Sequence, residues 1–446
     1  MDRAAHLDWA YTTAIGGIAL LLVTSTLFIA LTRRLRQPPV IGEIIAGICL
    51  GPSALGLLPG NLTDRLFPDE VRPLLTIVAH AGVLLFMFIV GWELDGRVLR
   101  GRRRPLGLLW LGGVALPMGL GIGLAAVLYD LHDTVDGRPI RFLPFALFLG
   151  VAMSIAAFPV LARLLTEHGI HRLPLGSYAL AVAALDDIFA WSMLAFVSAL
   201  ATSAGTAEPV KIAIWGAVYV AALLWLVRPL LAWLVNRLSS TAFAQLPLLI
   251  AAGTLGSAYV SSAIGLHMIF GAFLFGAIMP KDGDRDLLRR TVVIPLEDAG
   301  RLLLPVFFVV TGLSVDLTSI TAAGLLQLAL IIVVACGGKL GGITLSARLT
   351  GLGWRDSTAL GILLNTRGLT ELVILNVGYS LGLLSTELFT LMVIMALLTT
   401  GMTSPLIGAV LRRARRDGGV PGLDLLGATT RASPAAASVS AHDRDP

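Results

Sequence analysis

Long apolar runs, broken by short clusters of arginine, proline and glycine, recur along almost the whole chain. They fall at 11–32, 39–58, 72–94, 104–128, 143–165, 176–202, 212–236, 243–262, 265–280, 296–313, 322–346, 357–380 and 384–411. A helix needs about 20 apolar residues to cross a hydrocarbon core about 30 Å thick. Lipid offers no partner for a free backbone amide, so spans of this kind close their hydrogen bonds internally. The pattern therefore predicts an all-α polytopic membrane protein with about thirteen transmembrane helices. The first run follows the weakly charged start Met1-Asp2-Arg3 and is too long for a signal-peptide core, so it counts as a span.

Composition sharpens this reading. The chain is 56% hydrophobic and only 14% charged, with a mean hydropathy of +0.85, whereas soluble domains carry about 25% charged residues. A net charge of +5 would suit a nucleic-acid partner, but the arginines sit in short loops between apolar runs, where they set topology. One set of loops holds Arg33, Arg34 and Arg36, then Arg97 to Arg104, then Arg412, Arg413, Arg415 and Arg416. The alternate set holds scattered basics such as Arg65, Arg138 and Lys211. The bias puts the N-terminus outside and the C-terminus inside a cytoplasmic membrane, and excludes nucleic acid as a partner. Cys49 and Cys336 lie in apolar runs and read as small buried hydrophobes. No Gly-rich nucleotide fingerprint follows a strand pattern. The stretch from Asp417 to Pro446 is rich in Ala, Ser, Gly and Pro and is expected to be disordered.

The two halves echo each other. Phe86-x4-Gly91-x3-Asp95 has the spacing of Phe307-x4-Gly312-x3-Asp316, and Gly42-x4-Gly47 before Pro52 that of Gly271-x4-Gly276 before Pro280. The first unit starts inside and the second outside, so the repeat is inverted, a recurrent plan of secondary transporters.

Asp186 and Asp187 sit in the middle of the otherwise uncharged run from Ser177 to Leu200. An acid at such a depth costs roughly 2.5–3.5 kcal/mol on insertion scales, and intramembrane acids mark ion or proton pathways. Successive helical residues point about 100° apart, so the two carboxylates have different neighbours. In the preceding span Pro159 removes a backbone donor and frees carbonyls near Ile155. With the Ser154 hydroxyl these are hard oxygen ligands for Na⁺ or K⁺; the alternative is an ordinary proline kink. Arg367 and Glu371 are i,i+4 and neutralise each other on one helix face, a structural role in which Arg367 also shields the carbonyl ends of a broken helix. Lys339 either snorkels to the cytoplasmic face or, more in keeping with its glycine surroundings, pairs with one of the aspartates. Glu43 and Glu93 read as interfacial. His132, His168, His171 and His267 lack metal-ligand spacing, and no resident metal or cofactor is expected.

Pro39-Val40-Ile41-Gly42-Glu43, Gly47-Ile48-Cys49-Leu50-Gly51-Pro52-Ser53, Phe88-Ile89-Val90-Gly91-Trp92-Glu93-Leu94-Asp95, Ala157-Phe158-Pro159-Val160-Leu161-Ala162-Arg163, Asp186-Asp187 and Asn365-Thr366-Arg367-Gly368-Leu369-Thr370-Glu371 occur in this order. Together they resemble the monovalent cation:proton antiporters, in the branch with plant cation/H⁺ exchangers and bacterial Kef-type and Na⁺/H⁺ antiporters. The resemblance covers about residues 11–411. It implies an inverted-repeat sodium/proton antiporter-like fold, with dimerisation and core subdomains interleaved over 1–411 and a basic, then disordered, cytosolic tail over 412–446. It also implies a homodimer and two crossed broken helices, supported by Pro159, Arg163, Asn365, Arg367 and Glu371. Asp187 would bind ion and proton, and Asp186 would pair with Lys339. A double aspartate in this family goes with electrogenic exchange. Ala156 stands where the family commonly has Thr, which removes one hydroxyl ligand. The regulatory cytosolic domains of many relatives have no counterpart in this sequence, so a constitutive or directly pH-gated exchanger is expected.

The expected activity is secondary antiport of Na⁺ or K⁺ against protons, not an enzymatic reaction. A cation channel or uniporter is the alternative. A membrane-embedded Mg²⁺-dependent transferase would need a second acidic cluster, which the sequence lacks.

Overall fold

A computed structural model describes residues 3–35, 37–93, 103–135, 137–167, 170, 173–202, 207–237, 245–280 and 285–416. Fifteen helices carry the architecture: α1 (Arg3–Arg34), α2 (Pro39–Leu50), α3 (Arg72–Glu93), α4 (Arg103–Leu128), α5 (Phe142–Ser154), α6 (Phe158–Glu167), α7 (Pro174–Thr202), α8 (Ala207–Ala222), α9 (Leu246–Ile264), α10 (Met268–Ile278), α11 (Ile294–Leu313), α12 (Ala322–Leu349), α13 (Trp354–Leu364), α14 (Leu369–Ser380) and α15 (Thr386–Arg416). Helix α8 runs on through a π turn at Leu223–Val227 to Arg237. Among the described residues eleven helical stretches are long and apolar enough to cross a membrane. The windows at 265–280 and 357–380 fall instead on the 11-residue α10 and on the half-length pair α13 and α14. At 1.5 Å per residue, each half-helix reaches roughly to mid-bilayer and no further. A two-stranded hairpin, Thr134–Val135 with Arg138–Pro139, caps the loop before α5.

The helices sort into two bodies. Helices α1, α2, α3, α9, α10 and α11 pack on one another, and α4 to α7 pack with α12 to α15; each packs most closely within its own group. Helix α8 bridges them, touching α7 on one side and α9 on the other.

The inverted repeat is visible in how the glycines are used. A Cβ on Gly47 of α2 would run into the Val309 carbonyl and Gly312 of α11, and one on Gly276 of α10 into Phe88 of α3; Gly91 of α3 faces Phe273 in return. Helix α2 of the first unit is thus seated on α11 of the second, and α10 of the second on α3 of the first. Small residues let helix backbones approach closely in lipid, where apolar packing has no solvent to drive it. The glycines picked out by spacing are the contact points between the units.

Some expectations are corrected. Glu43, read as interfacial, is 7% exposed, because α1 and α11 cover α2 on both sides. Cys49 and Cys336 are free and half-buried rather than fully buried. Helix α15 continues through Arg412 to Arg416, so the basic run is helical. Asp95, His168, His171 and residues 417–446 lie outside the described residues. His132 ties three segments together, with Nδ1 2.8 Å from Ser385 Oγ and Nε2 2.9 Å from Gln327 Oε1.

Candidate functional site

Both half-helix pairs break at the same level. Helix α5 ends at Ser154 and the chain runs extended through Ile155 to Ala157 before α6 begins. Pro159 sits in the first turn of α6, where its missing N–H leaves no helical bond unmade. It starts the second half-helix rather than kinking a continuous one. The other break spans Asn365 to Gly368, between α13 and α14. The Ala157 N–H donates to the Thr366 carbonyl at 3.0 Å, so the two breaks hold each other. A Cβ on Gly368 would come within 2.6 Å of Val160 Cγ2, so the two breaks pass each other with no room to spare.

Breaking α5 strips its last carbonyls of their helical donors, and in lipid each needs another. Buried cations supply them. Arg367 donates to the Ala152 carbonyl at 2.6 Å and to the Met153 carbonyl at 2.8 Å, and Lys339 donates to the Ser154 carbonyl. The freed carbonyls expected to ligate a metal cation are therefore engaged by protein cations, whose positive ends suit the negative end of a helix dipole. The Ser154 hydroxyl donates back to Val151 at 2.8 Å, and its lone pairs are what it has to offer an ion.

Lys339 does not snorkel. It is fully buried, and its Nζ lies 2.6 Å from Asp186 Oδ2. Its remaining N–H groups go to the Ser154 carbonyl and, at 3.0 Å, to the Gly113 carbonyl of α4. An ammonium has three donors, and all three are used. Glu371 takes a 2.6 Å bond from Arg367, also fully buried.

Five buried ionisable groups thus sit around the crossing, and four of them form two pairs. Asp187, 1% exposed, has no ion-pair partner among the described side chains. It stands roughly 19–20 Å along α7 from Pro174, at mid-membrane depth. Fully ionised, the cluster holds three acids against two bases and carries one negative charge. An isolated buried charge is costly, so the site calls for one compensating positive charge. At the crossing the structure leaves acceptors without partners: Asp187 Oδ1, Asp186 Oδ1, Asn365 Oδ1 and Glu371 Oε2. Hard oxygens with a single excess negative charge suit a proton or an alkali cation. No cluster of three or more His, Cys, Asp or Glu suited to a resident metal occurs among the described residues.

The structure brings Asp186, Asp187, Ser154, Lys339, Pro159, Asn365, Arg367 and Glu371 to one crossing. Arg163 lies in α6, and its side chain is outside the described residues. Sequence reasoning missed Thr370, which faces Asp187 from the first turn of α14, and Gly113. Thr370 could have been found as the hydroxyl one residue before Glu371. Gly113 left its signal in Pro117, four residues on.

Comparison with known proteins follows the same line. The profile of the family described as "Sodium/hydrogen exchanger, transmembrane" matches residues 19–413. The Na⁺/H⁺ antiporter NhaS4 of Synechocystis is 40% identical over 84% of this chain and 91% of its own. Cation/H⁺ antiporter 20 of Arabidopsis thaliana is 38% identical over 92% of this chain and 50% of its own, so the chain spans about half the length of that plant relative. K⁺/H⁺ antiporter 1 of Saccharomyces cerevisiae is 34% identical over 86% of this chain and 45% of its own. A solved structure of the sodium proton antiporter MjNhaP1 from Methanocaldococcus jannaschii superposes with a TM-score of 0.62 at 15% identity, covering 94% of this chain and 100% of that one. With its helices, its crossing and its sequence aligned in this way, the chain belongs to the sodium/hydrogen exchanger family of multi-pass membrane transporters.

Proposed function

We propose that the protein exchanges a monovalent cation, Na⁺ or K⁺, for protons across the cytoplasmic membrane, with Asp187 as the carboxylate that the two cargoes share. The single observation that carries this is the unmatched acid: among the described side chains Asp187 is the one buried charge at the crossing without a counter-charge, while Asp186 and Glu371 have theirs. A proton and an alkali cation each neutralise it, and they exclude each other. A divalent ion would leave the site with excess positive charge. The neutralised body of α4 to α7 and α12 to α15 then moves against the other body, so that Asp187 faces the two sides in turn. Exchange that carries net charge needs a second proton per cation, and the Lys339–Asp186 pair is the group placed to release it. The arginine-rich loops support a cytoplasmic C-terminus, and the family resemblance supports a homodimer.

The test is purified protein in proteoliposomes with a pH-sensitive dye. Na⁺, K⁺, Li⁺ and Rb⁺ gradients are imposed in turn, with the membrane potential clamped or free. A cation gradient should drive protons uphill, and clamping should speed an electrogenic exchange. Asp187→Asn should abolish the flux in a folded protein. Full activity of that variant, or cation movement that never drives protons uphill, would overturn the reading.

A further inference from the structure

Inside a helix the residue at position 117 would donate its N–H to the carbonyl of residue 113. Pro117 lies within α4 and has no N–H, so the Gly113 carbonyl is left without its helical donor. That carbonyl is the one that accepts from Lys339 Nζ, 3.0 Å away on α12. Glycine makes the approach possible at both helices. A Cβ on Gly113 would collide with Ile343, and one on Gly338, next to the lysine, would come within 2.8 Å of the Pro117 Cα. The same spacing recurs in α15. Pro405 frees the Gly401 carbonyl, and Gln37 Nε2 takes it at 3.2 Å. In both places a glycine four residues before a helix proline presents a carbonyl to a polar side chain from elsewhere.

We propose that Gly113 and Pro117 are positioning residues of the ion site: the proline keeps the glycine carbonyl free, and that carbonyl holds the Lys339 ammonium on Asp186 and off Asp187. The inference rests on the reading of Asp187 as the cargo carboxylate. Among the described side chains the charges around Lys339 are Asp186 and Asp187 on α7, Arg367 in the break before α14 and Glu371 in its first turn; α4 contributes this carbonyl dipole. Of the three acceptors on the ammonium, Asp186 attracts it by charge, but its neighbour Asp187 exerts the same kind of pull. The two neutral, fixed carbonyls, Ser154 at the end of α5 and Gly113 on α4, set the direction, and the Gly113 one is there only because Pro117 leaves it free. With that bond weakened, the ammonium competes with the cation for Asp187.

Pro117→Ala restores the N–H and with it the competing helical bond. In the proteoliposome assay it should raise the KM for the cation on the order of tenfold, the size of one hydrogen bond to a charged group, with maximal rate per folded molecule nearly kept. Replacing residue 117 by lactic acid keeps alanine's methyl group but puts an ester oxygen where the N–H was, and should return KM to the wild-type value. Pro405→Ala removes a helix proline elsewhere and should leave KM alone. An unchanged KM in Pro117→Ala overturns the inference. So does an ester variant as impaired as the alanine one, or an equal rise in Pro405→Ala, since each would make the kink, not the donor, the cause. A second readout needs no transport, and so separates this inference from the exchange reading. A cryo-EM structure of Pro117→Ala should show residue 117 bonded to the Gly113 carbonyl and Lys339 Nζ displaced from it. An unmoved Nζ overturns the inference whether or not cations drive protons.

Discussion

At the scale of single residues, the two neighbouring aspartates carry opposite predictions for stability. Asp186 is matched by Lys339 at 2.6 Å with both side chains fully buried. Lys339→Ala strands that carboxylate, and breaking a buried pair from one side costs about 3–5 kcal/mol. Thermal unfolding in detergent should show the loss, and adding Asp186→Asn should recover most of it, because the stranded charge goes too. Asp187 has no counter-charge to lose among the described side chains. Asp187→Asn should therefore leave the unfolding temperature unchanged or raise it while it stops exchange. A fall comparable to that of Lys339→Ala would mean that Asp187 is a structural partner after all.

Elements explain why such residues are tolerated at this depth. A continuous helix would satisfy its own carbonyls and leave Arg367 and Lys339 with too few acceptors. The break at Ile155 to Ala157 exposes the end of α5, and the cations that cap it are the ones that neutralise Glu371 and Asp186. Arg367→Gln removes the charge that serves two carbonyls and one carboxylate, and should lower the unfolding temperature at least as much as Lys339→Ala. The glycine seams make a separate prediction. Gly47→Ala pushes a methyl group into the backbone of α11, and overpacking of this kind costs about 1–3 kcal/mol. Gly276→Ala, its counterpart in the inverted repeat, should cost a similar amount against α3. Gly119→Ala, where nothing lies within 4 Å, should be neutral or slightly stabilising by helix propensity; unfolding midpoints of the three variants make the comparison.

Over the whole molecule, two internally packed bodies meet along an interface with few polar links. Asn376 of α14 donates to the Thr311 hydroxyl of α11 at 3.0 Å, and the Asp316 N–H donates to Thr390 Oγ1 at 3.1 Å. The contact between them is mostly apolar, so few directional bonds break when one body slides on the other, and exchange at a closed site requires that they move. A Thr311→Cys and Asn376→Cys pair, joined by a thiol-reactive crosslinker, should stop cation-driven proton flux, and a cleavable crosslinker should restore it on reduction. Flux that persists with the bodies locked would show that ions reach Asp187 without the two moving.

The sequence by itself determined the broad answer. Apolar runs of bilayer length, arginine in alternate loops and acids where lipid penalises charge point to a polytopic membrane protein with buried carboxylates, because each follows from a local cost written in the residues themselves. Half-length α13 and α14 escaped the pattern, since two apolar halves and one continuous span look alike in a hydropathy window. Which side of the chain each charge meets was decided only by the tertiary structure. Lys339 had two readings in the sequence, lipid interface or aspartate, and the approach of α12 to α4 and α7 chose between them. That Arg367 shields the carbonyl ends of a broken helix was legible from its place in the chain; that those carbonyls belong to α5, more than two hundred residues away, was not. A residue's cost of burial is written in its own chemistry, but its compensation comes from whichever helix folds against it, and that depends on the packing of the whole chain.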